Sequence, residues 1–295
     1  MNIPHKKPIE LYHYAESLCS QKVRVALAEK GLDYVSHHIM LCDVSESCEN
    51  LSPEYLAVNP KGIVPTLVHE GQPVYDAHRQ IRYLEEQFPG VGQRLWPETP
   101  ELIARAEYWF DEGMLKDDQP MGSNFGTSVA LFSRHILSYL LNRQPKSLVE
   151  EKFKRHPIPA RGMAFIAMRS GMQLPTQALS DAAHVLVSGL RSVSDLLVRY
   201  RGPWLLGQFS MLDVTMMACF HRLQDLRLNV LLDDDSFPQL GAYWARLQGR
   251  SSYQDGILSW HDEAGWRDSV EEIFPDGVSP DLPLFERAMR NREEG

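Results

Sequence analysis

The sequence predicts two domains: an α/β domain of order βαβ–ββα, followed by an all-α helical bundle. Strand and helix patterns alternate up to residue 89, a stretch rich in Pro and Gly follows, and strand patterns then almost vanish. The chain has 295 residues, enough for two hydrophobic cores. We predict the domains at 1–89 and 101–270, with a linker at 90–100 and a tail at 271–295.

The first half of the α/β domain has the pattern of a βαβ unit. Residues 9–14 and 34–40 are short apolar and aromatic runs, which are typical of strands. Between them, residues 20–30 are good helix formers and end at Gly31, a common helix stop. A helix of this length predicts a crossover between two parallel strands.

The second half of this domain has the pattern of a hairpin followed by a helix. Residues 64–69 and 73–75 are predicted strands, and the short turn between them favours antiparallel pairing. Residues 76–88 place their apolar side chains on one face of a helix. Together with the βαβ unit, this hairpin and helix complete a small α/β domain.

Helical patterns dominate the rest of the chain. Predicted helices cover residues 101–116, 123–142, 177–200, 211–226 and 237–247. The long stretch at 117–175 is punctuated by prolines and predicts an insertion with its own function or mobility. The tail is acidic and contains proline, so we expect it to pack loosely.

Composition excludes several classes of function. A net charge of −9 without a dense basic stripe argues against nucleic-acid binding. The N-terminus has no apolar run of signal-peptide length, and no stretch is long and apolar enough to span a membrane. Four cysteines without CxxC or Cys/His metal spacing predict free thiols, a cytoplasmic location and no metal.

A site for thiol chemistry is predicted at Ser17-Leu18-Cys19-Ser20, between the first strand and the first helix. A helix N-terminus offers unpaired N–H groups and a partial positive charge, and both lower the pKa of a thiol placed there. Ser17 and Cys19 are therefore candidate catalytic residues. The structural alternative is that Ser20 only caps the helix and Cys19 is a small buried residue.

A second candidate site is Gly62-Ile63-Val64-Pro65, before the third strand. Proline cannot donate to a sheet, so it belongs at the first residue of a strand. A cis Val64–Pro65 bond would turn the preceding backbone outward, so that Val64 could pair its N–H and C=O with a peptide ligand. The alternative is an ordinary proline between a loop and a strand.

A third candidate site is the helix start at Asp76-Ala77. Aspartate caps a helix well and suits its dipole, and this alone can explain the residue. The functional alternative is that the backbone N–H groups hold a ligand carboxylate while the Asp76 side chain pairs with a ligand ammonium.

Ser210 and Asp213 stand three apart before an apolar helix, as in a capping box with Asp in place of Glu or Gln. We predict that this pair starts a core helix and takes no part in chemistry.

Taken together, the order and spacing of these features resemble the glutathione transferase superfamily over residues 8–90 and 200–250. The matching segments are 17–24, 59–65, 76–84 and 210–213. The resemblance implies a thioredoxin-like domain with a cis proline at Pro65, followed by a helical domain. It also implies a homodimer.

This resemblance further implies glutathione as a co-substrate. Its cysteinyl backbone would lie on Val64 and its γ-glutamyl end at Asp76 and Ala77, with Lys61 and Pro65 completing the binding residues. The family usually has Ser after the acidic residue. Ala77 therefore removes one hydroxyl contact and keeps the backbone N–H.

Within the superfamily the resemblance points in more than one direction. Ser17-Leu18-Cys19 is similar to the Ser-Ser-Cys motif of the zeta class, and Cys19 falls where reductive dehalogenases of chlorinated hydroquinones carry their nucleophile. Residues 20–24, Ala77 and the insertion resemble ganglioside-induced differentiation-associated proteins, which often lack robust transferase activity.

These residues are compatible with three functions. The first is a detoxifying transferase, in which Ser17 holds a glutathione thiolate that attacks a hydrophobic, electrophilic small molecule. The second is a thiol transferase or reductive dehalogenase that uses Cys19, and the third is a non-catalytic glutathione-binding regulatory protein, favoured by Ala77. We expect the transferase, with the second substrate near Tyr108, Trp109 and Met114. The alternative is that these three residues are ordinary core residues.

Overall fold

The computed structural model describes residues 2–115, 119–261 and 265–290. Its four-stranded sheet has the order β2-β1-β3-β4. The strands are β1 (Ile9–His13), β2 (Val35–His38), β3 (Thr66–His69) and β4 (Gln72–Tyr75). β1 is parallel to β2 and antiparallel to β3, and β3 is antiparallel to β4. The predicted βαβ–ββα arrangement is therefore confirmed.

Three helices belong to this α/β part. α1 (Leu18–Lys30) connects β1 to β2, and α3 (Ala77–Gln87) follows β4 and packs against α1. The sequence analysis missed α2 (Pro53–Val58), which lies between β2 and β3. The signal for it was Ser52, whose Oγ accepts from the Tyr55 N–H at 3.2 Å, followed by proline at the first helical position.

From residue 100 onwards, the regular elements of the described chain are helices. They are α4 (Pro100–Glu112), α5 (Phe125–Phe132), α6 (Arg134–Asn142), α7 (Lys146–Lys154), α8 (Pro159–Arg169), α9 (Thr176–Tyr200), α10 (Met211–Asp225), α11 (Leu240–Gln248), α12 (Ser251–Gly256), α13 (Trp266–Ile273) and α14 (Leu282–Arg290). None of the helices in the described ranges is both long and apolar enough to cross a membrane. The domain boundaries themselves stay a prediction.

The stretch predicted as an insertion is largely helical. α5 to α8 lie within it, and residues 116–118 fall outside the described part. The single helix expected at 123–142 is two helices, which meet at Ser133. The Ser133 hydroxyl donates to the Val129 carbonyl at 3.2 Å and accepts from Arg222 Nη1 at 3.1 Å, so this break is fixed by packing against α10.

Residues 271–290 of the tail do not pack loosely, so that expectation is wrong for them, while residues 291–295 lie outside the described part. α14 packs against α9 and buries Phe285 completely, because its apolar residues recur on one helical face. Asp281, just before α14, accepts hydrogen bonds from Arg134 Nη1 at 2.8 Å and from His135 Nε2 at 3.0 Å. Burial raises the pKa of Asp281, but these two partners outweigh it and hold the pKa below its ordinary value.

The prediction of free thiols is wrong for two of the cysteines. Cys42 and Cys48 form a disulfide in the loop between β2 and α2. This loop folds back on itself, and Asn50 Oδ1 accepts from the Cys42 N–H at 2.8 Å. Cys19 and Cys219 are free.

The capping box at the start of α10 is confirmed. Asp213 Oδ2 accepts from the Ser210 N–H at 2.8 Å, and Ser210 Oγ accepts from the Leu212 N–H at 3.3 Å. The fully buried Asp213 also accepts from the Leu205 N–H at 3.1 Å and from Tyr243 Oη at 2.8 Å. One carboxylate thus joins α10, the loop before it and α11.

Ser210→Ala should lower the free energy of unfolding by about 0.5–2 kcal/mol, because one capping bond is lost. Asp213→Ala should cost more, about 2–4 kcal/mol, because it leaves several buried donors unpaired. Urea denaturation followed by circular dichroism measures both values. Equal losses in the two variants would contradict the central role of Asp213.

Candidate functional site

The β1–α1 loop carries both predicted catalytic residues. Ser17 is the N-cap of α1, and its Oγ accepts a hydrogen bond from the Ser20 N–H at 3.3 Å. A hydroxyl has two acceptor lone pairs and one proton, so this bond leaves the Ser17 proton available for donation. Ser17 is half-buried, at the edge of the α/β part. Capping and stabilisation of a ligand anion are therefore compatible roles.

Cys19 is the second residue of α1 and is half-buried. Burial raises the pKa of its thiol, the Lys22 ammonium lowers it, and the Asp76 carboxylate raises it again, so that the net shift is upward. A thiolate at Cys19, which the helix start led us to expect, is thus not favoured by these surroundings. Desolvation outweighs the nearby positive charge.

The Val64–Pro65 peptide bond is cis, as predicted. Gln80 of α3 donates from Nε2 to the Pro65 and Val74 carbonyls, at 2.9 Å each, and this ties the loop to α3. Within the described residues, neither the N–H nor the C=O of Val64 makes a backbone hydrogen bond. Both groups can therefore pair with an extended peptide ligand.

Asn59 shapes the loop that presents Val64, a role that the sequence analysis missed. Its Nδ2 donates to the Ile63 carbonyl at 2.8 Å and to Thr66 Oγ1 at 2.9 Å, while its Oδ1 accepts from the Lys61 N–H at 3.0 Å. The Lys61 side chain is exposed. A lysine in this position offers a positive charge at the edge of the site.

Asp76 is the N-cap of α3. The bonds that it accepts from the His78 and Arg79 N–H groups, at 3.0 and 3.1 Å, both end on Oδ1, so Oδ2 takes no part in the cap. Its φ of 71° is rare for a residue other than glycine, and such strain is concentrated at functional sites. The buried Ala77 begins the helix, where its N–H has no partner within the helix.

A buried network behind these loops was also missed. Lys22 Nζ donates to the Gly113 carbonyl at 2.8 Å and lies 3.3 Å from His78 Nε2. His78 Nδ1 lies 2.7 Å from the Phe110 carbonyl, which can only accept, so Nδ1 carries the proton. Burial and the Lys22 charge hold the pKa of His78 well below its ordinary value. The network joins α1, α3 and α4.

The residues expected around a second substrate do not share one surface. Trp109 is buried in the core, with its ring 6.0 Å from that of Phe125, in agreement with the alternative of an ordinary core residue. Tyr108 is 57% exposed. Met114 is half-buried, and its carbonyl accepts from Asn124 Nδ2 at 3.0 Å.

Comparison with known proteins places the N-terminal part of the chain. Residues 16–87 match the family model of the glutathione S-transferase N-terminal domain. A zeta-class glutathione S-transferase of Euphorbia esula is 41% identical over 86 residues, 29% of this chain and 36% of the relative. A tetrachloro-p-hydroquinone reductive dehalogenase of Sphingobium chlorophenolicum is 31% identical over 105 residues, 36% of this chain and 40% of the relative. The chain thus spans about two fifths of these relatives.

Longer alignments extend over the helical part at lower identity. The human ganglioside-induced differentiation-associated protein 1-like 1 is 25% identical over 87% of this chain and 75% of its own length. The crystal structure of the β-etherase LigF from Sphingobium sp. strain SYK-6 superposes with a TM-score of 0.73 at 21% identity, covering 86% of this chain and 100% of that one. The predicted resemblance and the thioredoxin-like fold with a helical C-terminal part are confirmed.

Cys19 should react with iodoacetamide more slowly at pH 7.5 than a free cysteine does, because its raised pKa leaves less thiolate. The rate should rise with pH without a plateau below the ordinary cysteine pKa of 9.0. Intact-mass spectrometry measures the adduct, Cys19→Ser identifies it, and the buried Cys219 serves as an unreactive control. A plateau reached below pH 8 would contradict this assignment.

Proposed function

We propose that this chain, whose residues 16–87 match the glutathione S-transferase N-terminal domain, binds glutathione and activates its thiol for attack on an electrophilic small molecule. The backbone of Val64 carries the proposal. Its N–H and C=O are unpaired in the described structure, beside a cis proline that Gln80 ties to α3. An extended tripeptide is a ligand that can use both groups.

The ends of glutathione fit the charges on either side of Val64. Its γ-glutamyl carboxylate would accept from the Ala77 N–H at the positive end of α3. Its ammonium would pair with Asp76 Oδ2, since the cap uses only Oδ1. The exposed Lys61 would pair with the carboxylate at the glycine end.

Ser17 would stabilise the reactive thiolate. The glutathione thiol loses its proton to solvent, and the Ser17 hydroxyl donates to the sulfur. The thiolate then forms a carbon–sulfur bond with the electrophile, whose bond to its leaving group breaks, and the leaving group departs to solvent with the electron pair. A hydrogen bond to a charged group contributes about 1.5–3 kcal/mol, and one pKa unit corresponds to about 1.4 kcal/mol. Together with the N-terminus of α1, this bond can lower the thiol pKa by one to two units.

A second candidate is thiol exchange through Cys19. The half-buried position of Cys19 in the same loop and the similarity to the Sphingobium chlorophenolicum dehalogenase favour it. In that reaction the Cys19 thiolate would attack a disulfide that contains glutathione, forming a mixed disulfide and releasing the other half as a thiol. A glutathione thiol would then attack the mixed disulfide, which frees Cys19 and leaves oxidised glutathione. The raised pKa of Cys19 counts against this role, and we therefore rank it second.

The proposal also covers the oligomeric state, the location and the role of the enzyme. We infer a homodimer that detoxifies hydrophobic electrophiles, as the resemblance to the superfamily implies. The cytoplasmic location predicted from cysteine usage is part of the same proposal, and of the four cysteines Cys19 and Cys219 are free. Sedimentation velocity of the purified protein tests the oligomeric state. A single species of 33.7 kDa at micromolar concentration would rule the dimer out.

Asp76→Ala should weaken glutathione binding by about 1–3 kcal/mol, because it removes the charged partner of the ligand ammonium. Isothermal titration calorimetry measures the loss. Thr99→Ala is a matched control, since Thr99 Oγ1 caps α4 by accepting from the Leu102 N–H at 3.4 Å. It should lower stability and keep the affinity. The proposal fails if the unmodified protein binds no glutathione at millimolar concentration.

Ser17→Ala should lower the rate of glutathione conjugation tenfold or more, which corresponds to about 1.4 kcal/mol or above. Cys19→Ala should leave conjugation nearly unchanged. A panel of electrophiles measures conjugation, and a glutathione-dependent reduction assay runs beside it.

The matched control for Ser17→Ala is Ser52→Ala, which removes a serine cap from α2 and should leave both activities unchanged. If Cys19→Ala abolishes both activities while Ser17→Ala leaves both intact, the protein is a cysteine-type thiol transferase or reductive dehalogenase.

A further inference from the structure

A second cluster of ligand-type side chains lies where the β1–α1 loop meets α10. Glu16 precedes Ser17, and His221 and Asp225 are one turn apart on α10. His261 follows a short 3₁₀ helix (Leu258–Trp260) after α12. One donor atom from each of the four side chains lies within 4.8 Å of all the others. Glu16, His221 and Asp225 are at most 4% exposed.

The spacing of the donors fits one small metal ion. His261 Nδ1 lies 3.3 Å from His221 Nε2 and 3.5 Å from Glu16 Oε1, and Asp225 Oδ2 lies 4.0 Å from His221 Nε2. Zinc binds nitrogen and oxygen ligands at about 2.0–2.2 Å, so the edges of its tetrahedron measure about 3.3–3.6 Å. Two of these three separations already have that length, and the other separations among the four donors, all within 4.8 Å, would shorten on binding.

The surroundings orient the donors toward one centre. His221 Nδ1 bonds to Tyr253 Oη at 3.0 Å, which leaves Nε2 for an ion, and metal-binding histidines are commonly held in this way. Trp266 Nε1 donates to Asp225 Oδ2 at 3.1 Å, and Gln21 Nε2 donates to Glu16 Oε2 at 3.5 Å. Both carboxylates are therefore fixed by outer partners.

Glu16 Oε1 supplies an independent observation. Within the described residues this buried oxygen accepts no hydrogen bond, although it faces the cluster. An unsatisfied buried carboxylate oxygen is costly and requires an explanation. Arg222 Nε lies 3.5 Å from Asp225 Oδ2, and His261 Nδ1, itself a ligand-type atom, lies 3.5 Å from Glu16 Oε1. A bound cation would satisfy this oxygen and would contact His261 Nδ1 as well.

We propose that Glu16, His221, Asp225 and His261 bind a divalent transition-metal ion, with Zn²⁺ the best match to two imidazoles and two carboxylates. Four protein ligands close the coordination sphere, so the ion would be structural and would fasten the loop that carries Ser17 to α10. Our prediction of no metal looked for cysteine spacing. These ligands are spread from residue 16 to residue 261 and form no local motif.

Zinc titration of the untagged, EDTA-treated protein tests the proposal. Calorimetry and elemental analysis should show one Zn²⁺ per chain, and the thermal midpoint should rise with Zn²⁺ and return with EDTA. His221→Gln and His261→Gln should each lower zinc affinity at least tenfold. Loss of a residue that only hydrogen-bonds to a metal ligand already costs about tenfold, and loss of a ligand itself should cost no less. His184→Gln, on α9 and outside the cluster, is the matched control and should bind normally.

Two outcomes would overturn the site. One is a folded, unmodified protein that binds no Zn²⁺ and whose thermal midpoint does not move, because the cluster would then share protons rather than a metal. The other is stoichiometric binding that both variants retain, because the ion would then lie elsewhere. If a variant does not fold, the visible spectrum of Co²⁺ added to the unmodified protein decides whether the four-ligand site exists. Intense visible bands of tetrahedral Co²⁺ support the site, and the weak bands of hydrated Co²⁺ exclude it.

Discussion

The buried guanidinium of Arg24 holds the candidate site in place. Its Nη2 donates to the Ala15 carbonyl at 2.6 Å, its Nη1 to the Tyr14 carbonyl at 3.2 Å, and its Nε to the Gly256 carbonyl at 2.7 Å. A buried charge is tolerated only where such bonds are made. One side chain of α1 therefore fixes the loop that presents Ser17 against α12, and the position of that loop depends on both parts of the chain.

The same helix is packed closely on more than one side. At Gly256 an added Cβ would lie 2.7 Å from the Val25 nitrogen, so only glycine allows α12 to approach α1 this closely. Elsewhere on α1, Lys22 bonds to Gly113 and contacts His78, which joins the helix to α3 and α4. The N-terminus of α1 thus rests on a rigid second layer, as a site that orients a reactive sulfur requires.

Much of the fold could be predicted because its signals are local. The βαβ–ββα succession of elements and the capping box at Ser210 are each set by a few neighbouring residues, and the cis proline at Pro65 was expected from the resemblance. The bond between Arg134 and Asp281 beside α14, and the bond from Arg24 to the Gly256 carbonyl, join residues more than a hundred positions apart. The sequence shows that these residues are charged or apolar, but it does not show which partner each one meets.

Ser17 and Cys19 both lie at the start of α1, and burial explains why Ser17 is the better candidate catalytic residue. A serine acts through its neutral O–H, so desolvation costs it little and strengthens the hydrogen bond that it donates. A cysteine must ionise to act, so the same desolvation opposes it. The helix dipole acts on both positions, so it does not favour one of the two residues over the other. The cap at Ser17 uses an acceptor lone pair and leaves the donor, so stabilising the helix and stabilising a thiolate ligand do not compete for the same part of the side chain.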